Sequence, residues 1–194
     1  STIAKAMART FAGFGSRTLL VDLSGRASPS NQNLIWRLSD GGAGQAIQRN
    51  RDGYDNLNAQ FDDAERRMYG NVAMLRRTFG EELAHYGTII VDMPSLINPH
   101  SGQINGVGVA AACDSVYLVC VADVTTRGEI VQAAEALRSV SAKLVGTIAN
   151  DVAFATLGSE IAREARRIKR LLPRVSGWIE RKALGSVFLN RGGI

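Results

Sequence analysis

Four groups in this sequence have the chemistry to hold a phosphorylated ligand. Ser1 and Thr2 place two hydroxyls at the start of an apolar-patterned stretch. Asp22 closes the run Thr-Leu-Leu-Val, Asp92 closes Thr-Ile-Ile-Val, and Asn150 closes Leu-Val-Gly-Thr-Ile-Ala. A triphosphate is highly charged, so it calls for backbone N–H groups, a cation and Mg²⁺. A serine hydroxyl and one aspartate suffice for the metal, because Mg²⁺ keeps several of its waters. Ser1 and Asp92 suit those roles. Asp22 beside them suits a metal-bound water or the proton of an attacking hydroxyl. Asn150 offers an acceptor and two donors, the set that reads an adenine edge. Asp and Asn also end strands simply as turn formers. Three strand ends plus Ser-Thr favour the functional reading.

The elements that must position these groups follow from periodicity. Thr2 to Phe14 carries Ile3, Met7, Ala8 and Phe11 at helical spacing and stops at Gly13 and Gly15. Its positive end would face the phosphates. Strands are predicted at Thr18–Val21, Thr88–Val91, Ser115–Val121 and Leu144–Ala149. Asn31–Asn56 reads as loops with short helices, and Asp62–Tyr86 as mostly helical, with Met68, Val72, Leu75, Phe79 and Leu83 on one face. Helices are predicted at Thr126–Val140 and Ser159–Leu172. The alternation predicts an α/β fold, a doubly wound, mainly parallel sheet with helices on both faces. In such sheets ligands bind at the carboxyl ends of the strands. A phosphate-binding G-x-x-x-x-G-K-[ST] loop runs straight into a helix. Ser1 and Thr2 fit its last positions, so the chain is expected to begin inside Walker A, with the first strand, glycines and lysine preceding it. As it stands it is not expected to transfer phosphate.

Composition is ordinary for a globular chain of 194 residues, with 45% hydrophobic and 21% charged. No apolar run approaches the roughly 20 residues that span a bilayer. Cys113 and Cys120 lie in or beside apolar runs and read as buried thiols. His85 and His100 read as isolated surface residues, and Gly106-x-Gly108 as easing a helix against the sheet. The net charge of +5 is uneven: residues 157–194 hold nine Arg or Lys against three Glu. We therefore divide the chain into an ATPase-like domain, 1–156, and a basic helix and tail, 157–194. Arg166, Arg167, Lys169 and Arg170, followed by Trp178, Ile179, Leu184, Val187 and Phe188, give residues 163–188 the makings of a contact with an anionic membrane surface.

The motif order resembles a family. Leu-Leu-Val-Asp22-Leu-Ser-Gly-Arg26, Thr-Ile-Ile-Val-Asp92-Met-Pro94, Thr125-Thr126-Arg127-Gly-Glu and Gly-Thr-Ile-Ala-Asn150-Asp-Val152 are similar to the cytoplasmic domain of bacterial tyrosine kinases attached to polysaccharide co-polymerases. These belong to the MinD/ParA class of deviant P-loop ATPases. The segment Leu38-Ser39-Asp40 to Tyr54-Asp55-Asn56-Leu57 tilts the resemblance to the polysaccharide branch. It implies ATP and Mg²⁺ as cofactors, with Ser1, Thr2 and Asn150 on the nucleotide, Ser1, Asp22 and Asp92 at the metal, and Asp22 and Arg26 in catalysis. It further implies homo-oligomers or a polysaccharide secretion machinery as partners, and a cytoplasmic location at the inner face of the bacterial inner membrane. Nucleic acid is not expected as a partner. The family's second acidic motif reads Asp-x-Asp-x-Arg, whereas this chain has Asp22, Ser24 and Arg26. A hydroxyl thus replaces a carboxylate. The family's C-terminal tyrosine cluster is not found, Tyr117 being the last tyrosine. Both departures predict a weakened kinase. A MinD/ParA-like switching ATPase and a non-catalytic structural module are the alternatives. Glu160-x-x-Arg163-x-x-Arg166 echoes a family oligomerisation pattern but reads as a charged helix face.

Overall fold

The structure, a computed structural model, describes residues 1–24, 36–59, 62–97, 103–122 and 124–150. The chain divides into two compact units, Ser1–Tyr117 with Gly128–Gly146, and Leu118–Arg127 with Thr147–Ile194. The first unit is built on a four-stranded sheet. Helix α1 (Thr2–Gly13) leads into strand β1 (Thr18–Asp22). Ser1 caps α1, its Oγ accepting from Ala4 N at 3.4 Å. Gly15, at φ +83, turns the chain toward β1, a backbone that favours glycine.

The sheet order is β2-β3-β1-β4, with β2 Gln48–Arg49, β3 Asp55–Asn58 and β4 Thr88–Asp92. β1 runs parallel to both β3 and β4, and β2 is antiparallel to β3. Alternate residues feed two cores. Leu19, Val21 and Leu57 pack with Tyr69, Leu75, Leu83 and Val109 on one face. Leu20 packs with Ala4, Ala8 and Tyr54, and Ile90 joins them, on the other. The sheet is therefore covered on both faces, and α1 lies on the Leu20 face. The small side chains of Ala4 and Ala8 let it approach closely.

Two expectations need correction. Asn31–Asn56 holds two 3₁₀ turns, Leu38–Asp40 and Ala43–Ala46, but its described part also contains β2 and the first half of β3. The run Asp-Asn-Leu-Asn has a single apolar residue, and pairing with β1 makes it a strand. Asp62–Tyr86 is not one helix. It forms α2 (Asp63–Met68), α3 (Val72–Arg77) and a wide helical turn, Thr78–Glu82. Tyr69-Gly70-Asn71 separates them, with Asn71 capping α3 through Met74 N at 3.1 Å. Leu75 and Leu83 keep their buried places, whereas Met68 is 37% exposed because the break rotates it off the stripe.

Helix α4 (Gly106–Ala112) is capped by Asn105, whose Oδ1 accepts from Val107 N at 3.0 Å. A Cβ on Gly108 would lie 2.7 Å from the Tyr69 carbonyl oxygen. This glycine lets α4 approach the α2–α3 turn. Cys113 and Cys120 are free thiols, half-buried and buried respectively, and His85 is exposed.

Strands β5 (Val116–Val121) and β6 (Leu144–Asn150) form a separate pair joined through α5 (Arg127–Ser139). Val116 N donates to Lys143 O and Ala122 N to Asn150 O, so the strands run in parallel. Tyr117 lies in β5. His100 and the tail from residue 151 lie outside the described residues.

Candidate functional site

Asp22 and Asp92 are direct partners across the β1–β4 ladder. Adjacent strands lie about 4.8 Å apart. Both aspartates follow, two residues on, side chains that face α1: Leu20 and Ile90. Strand alternation therefore turns both toward the α1 side at the carboxyl edge. Asp92 is 7% exposed. Its Oδ2 is buried, and the Ser1 nitrogen lies against it. The start of α1 is thus held at the carboxyl end of β4, with its first-turn N–H groups at that edge.

Asp22 is held from the loop that follows it. Its Oδ1 accepts both Ser24 N at 2.9 Å and Ser24 Oγ at 2.6 Å. The hydroxyl that replaces a second acidic residue therefore acts as a donor to Asp22. Leu23 N donates to Asp92 O at 2.8 Å and Ala59 N to Asp22 O at 3.2 Å, so the edge continues one residue past both aspartates.

Two carboxylates at strand spacing repel by roughly 3 kcal/mol at an effective dielectric of about 20. A cation beside them removes that cost. Oxygen-only donors, one of them buried, fit Mg²⁺ better than a softer metal. Among the described residues no group of three or more His, Cys, Asp or Glu is placed to hold a metal. Two carboxylates agree with an ion that keeps most of its waters. When bound, such an ion would neutralise phosphate charge at this edge.

The other expected residues divide as follows. Ser1 and Thr2 open α1 at the aspartate edge, and the Ser1 hydroxyl also serves as the helix cap. Asn150 ends β6 in the second unit. Arg26 and residues 163–188 lie outside the described residues. Sequence reasoning missed a further polar residue, Asn58, which pairs with Asp22 from the other side.

This mainly parallel sheet with helices on both faces is similar to solved structures. The kinase domain of Escherichia coli tyrosine kinase ETK superposes with a TM-score of 0.63 at 19% identity, covering 76% of this chain and 60% of that one. The shared feature is the α/β fold. Cobyrinic acid a,c-diamide synthase from Mycobacterium smegmatis, solved with an ATP analogue and magnesium, gives 0.61 at 22% identity over 76% of this chain and 68% of its own. The MinD cell division protein of Aquifex aeolicus gives 0.56 at 16% identity over 92% and 79%. The chain spans under two thirds of the ETK kinase domain. No protein-family model matches the sequence, and no curated protein matches it. The expected α/β architecture holds, and the neighbours include the tyrosine kinase and MinD structures that the motifs resemble.

Proposed function

We propose that this chain forms part of a Mg²⁺–ATP site in the cytoplasmic domain of a polysaccharide co-polymerase related to bacterial tyrosine kinases. The observation that carries this is the in-register pair Asp22 and Asp92 beneath the start of α1. Asp92 would anchor the hydrated metal, Ser1 and Thr2 would lie at the phosphates, and Arg26 would assist catalysis. Asn150 would read the base. The domain would act at the inner face of the bacterial inner membrane, with residues 163–188 contacting the lipid surface or a secretion partner, and with itself as an oligomeric partner.

Chemistry at this edge depends on positioning and charge neutralisation. Asp22 would hold a water or accept a proton from an attacking hydroxyl. Ser24 already occupies one of its oxygens with two donors, which weakens Asp22 as a base. That observation supports a second reading, a MinD-like ATPase that uses nucleotide to switch assembly rather than to phosphorylate tyrosine. Fluorescent ADP titrated with and without Mg²⁺ tests the shared site. Binding that needs the metal and is lost in Asp22→Asn supports it; metal-independent or absent binding counts against it. Incubation with Mg-ATP then separates the readings, since phosphotyrosine marks the kinase and phosphate release alone marks the switch.

A further inference from the structure

We propose that Asn58 is a third member of this site, a residue whose amide donates to the ligand's phosphate or accepts from a metal-bound water beside Asp22. The inference rests on the Mg²⁺–nucleotide reading above. Asn58 is the Cα partner of Asp22 on β3, and Asp22 is the partner of Asp92 on β4. The three residues form one row across three adjacent parallel strands, with Asp22 in the centre.

Two anchors set which way Asn58 faces. Leu57 is fully buried with Val21, in the core opposite α1. Tyr54 packs with Ala4, Ala8 and Leu20 on the α1 face. Alternation from either anchor turns Asn58 toward α1, the side that Asp22 and Asp92 face. The backbone on both sides is fixed. Trp36 N donates to the Asn58 carbonyl at 3.1 Å, and Ala59 N donates to the Asp22 carbonyl at 3.2 Å. The side chain is half-buried, and no hydrogen bond to it occurs among the described residues.

Chemistry gives this amide its use. Asp22 and Asp92 are acceptors when ionised, so they can hold a cation but repel phosphate. The Asp92 carboxylate is buried at the same edge, facing the start of α1. Asn58 adds a neutral amide whose N–H groups can donate to phosphate and whose carbonyl oxygen can accept from metal-bound water, without adding charge. Its position on a paired strand keeps it preorganised.

The test is Mn²⁺ titration of the protein, read by water-proton relaxation, with and without ADP. Wild type, Asn58→Ala, Asn58→Asp and Asn56→Ala are compared, with thermal unfolding as the check on folding. Asn56 lies on the same strand and face, one pleat back from the edge. Asn58→Ala should weaken Mn–ADP about three- to tenfold, the loss of one hydrogen bond to a charged group. Asn58→Asp should tighten free Mn²⁺ severalfold yet weaken Mn–ADP, since the added charge attracts metal and repels phosphate. Asn56→Ala should match wild type. If wild type binds Mn–ADP and both Asn58 variants bind like it, the role of Asn58 is refuted and the site reading stands. If wild type binds neither Mn²⁺ nor Mn–ADP, the site reading fails and the inference falls with it. The near-isosteric Asn58→Asp keeps the comparison decisive should the alanine variant lose its fold.

Discussion

Gly108→Ala tests the packing behind the site. A Cβ there would sit 2.7 Å from the Tyr69 carbonyl oxygen and 3.0 Å from the Gly70 Cα. Non-bonded carbon contacts are optimal at about 3.5 Å or more. The obstructing atoms are backbone, so no rotamer change relieves them, and α4 must move from the α2–α3 turn. Overpacking of this kind costs about 1–3 kcal/mol. Alanine returns about 1 kcal/mol of helix propensity. With rigid neighbours the cost lies in its upper range, leaving a net loss of about 1–2 kcal/mol. For a chain of this size that lowers Tm by about 2–8 °C. Thermal unfolding followed by circular dichroism measures it. Gly44→Ala is the control, because no heavy atom lies within 4 Å of its added Cβ. It should stay within about 0.5 kcal/mol of wild type. If Gly108→Ala unfolds at or above the wild-type Tm, close backbone approach is not why glycine stands at this position.

Asp92→Asn should keep the fold and weaken Mg²⁺-dependent nucleotide binding at least about tenfold, through loss of the buried carboxylate charge; unchanged affinity by fluorescent-ADP titration would remove Asp92 from the site. The Tyr86 hydroxyl donates to Asp55 at 2.7 Å. Burial first, then this bond, pushes its pKa up to about 12 from 10.0. Between those values the unfolded chain has lost a proton that the folded chain keeps, so this contribution is full below pH 10 and drains as pH rises to about 12. Denaturant unfolding across that window should show a shallower loss in Tyr86→Phe, and identical slopes would refute the linkage. Burial, with a smaller effect from Asp114, pushes the Cys113 thiol up to about 11 from 9.0. Its thiolate at pH 8 should therefore be about a hundredfold scarcer than in the unfolded chain. A thiol reagent should label it correspondingly slowly in the native protein and quickly in guanidinium.

Local pattern was enough to place α1, β1, β4 and β6 within about two residues of their ends, because apolar runs of strand length and helical stripes report burial directly. It also marked Asp22 and Asp92, since a carboxylate that closes an apolar run stands at a strand's edge. It could not show that β3 is a strand. Asp-Asn-Leu-Asn has one apolar residue, and its strand character comes from hydrogen bonds to β1, more than thirty residues earlier. Nor could it find the break at Gly70-Asn71, where a cap and the close approach of Gly108 outweigh a continuous apolar stripe. Residue types alone therefore determined that the chain carries acidic groups suited to a metal and phosphates, at the ends of buried strands. Tertiary pairing decided that Asp22 and Asp92 are neighbours, that the start of α1 meets Asp92, and that Asn58 joins their row. The reason is physical: register is set between strands far apart in sequence, and a shift of one residue would turn each of these side chains to the opposite face.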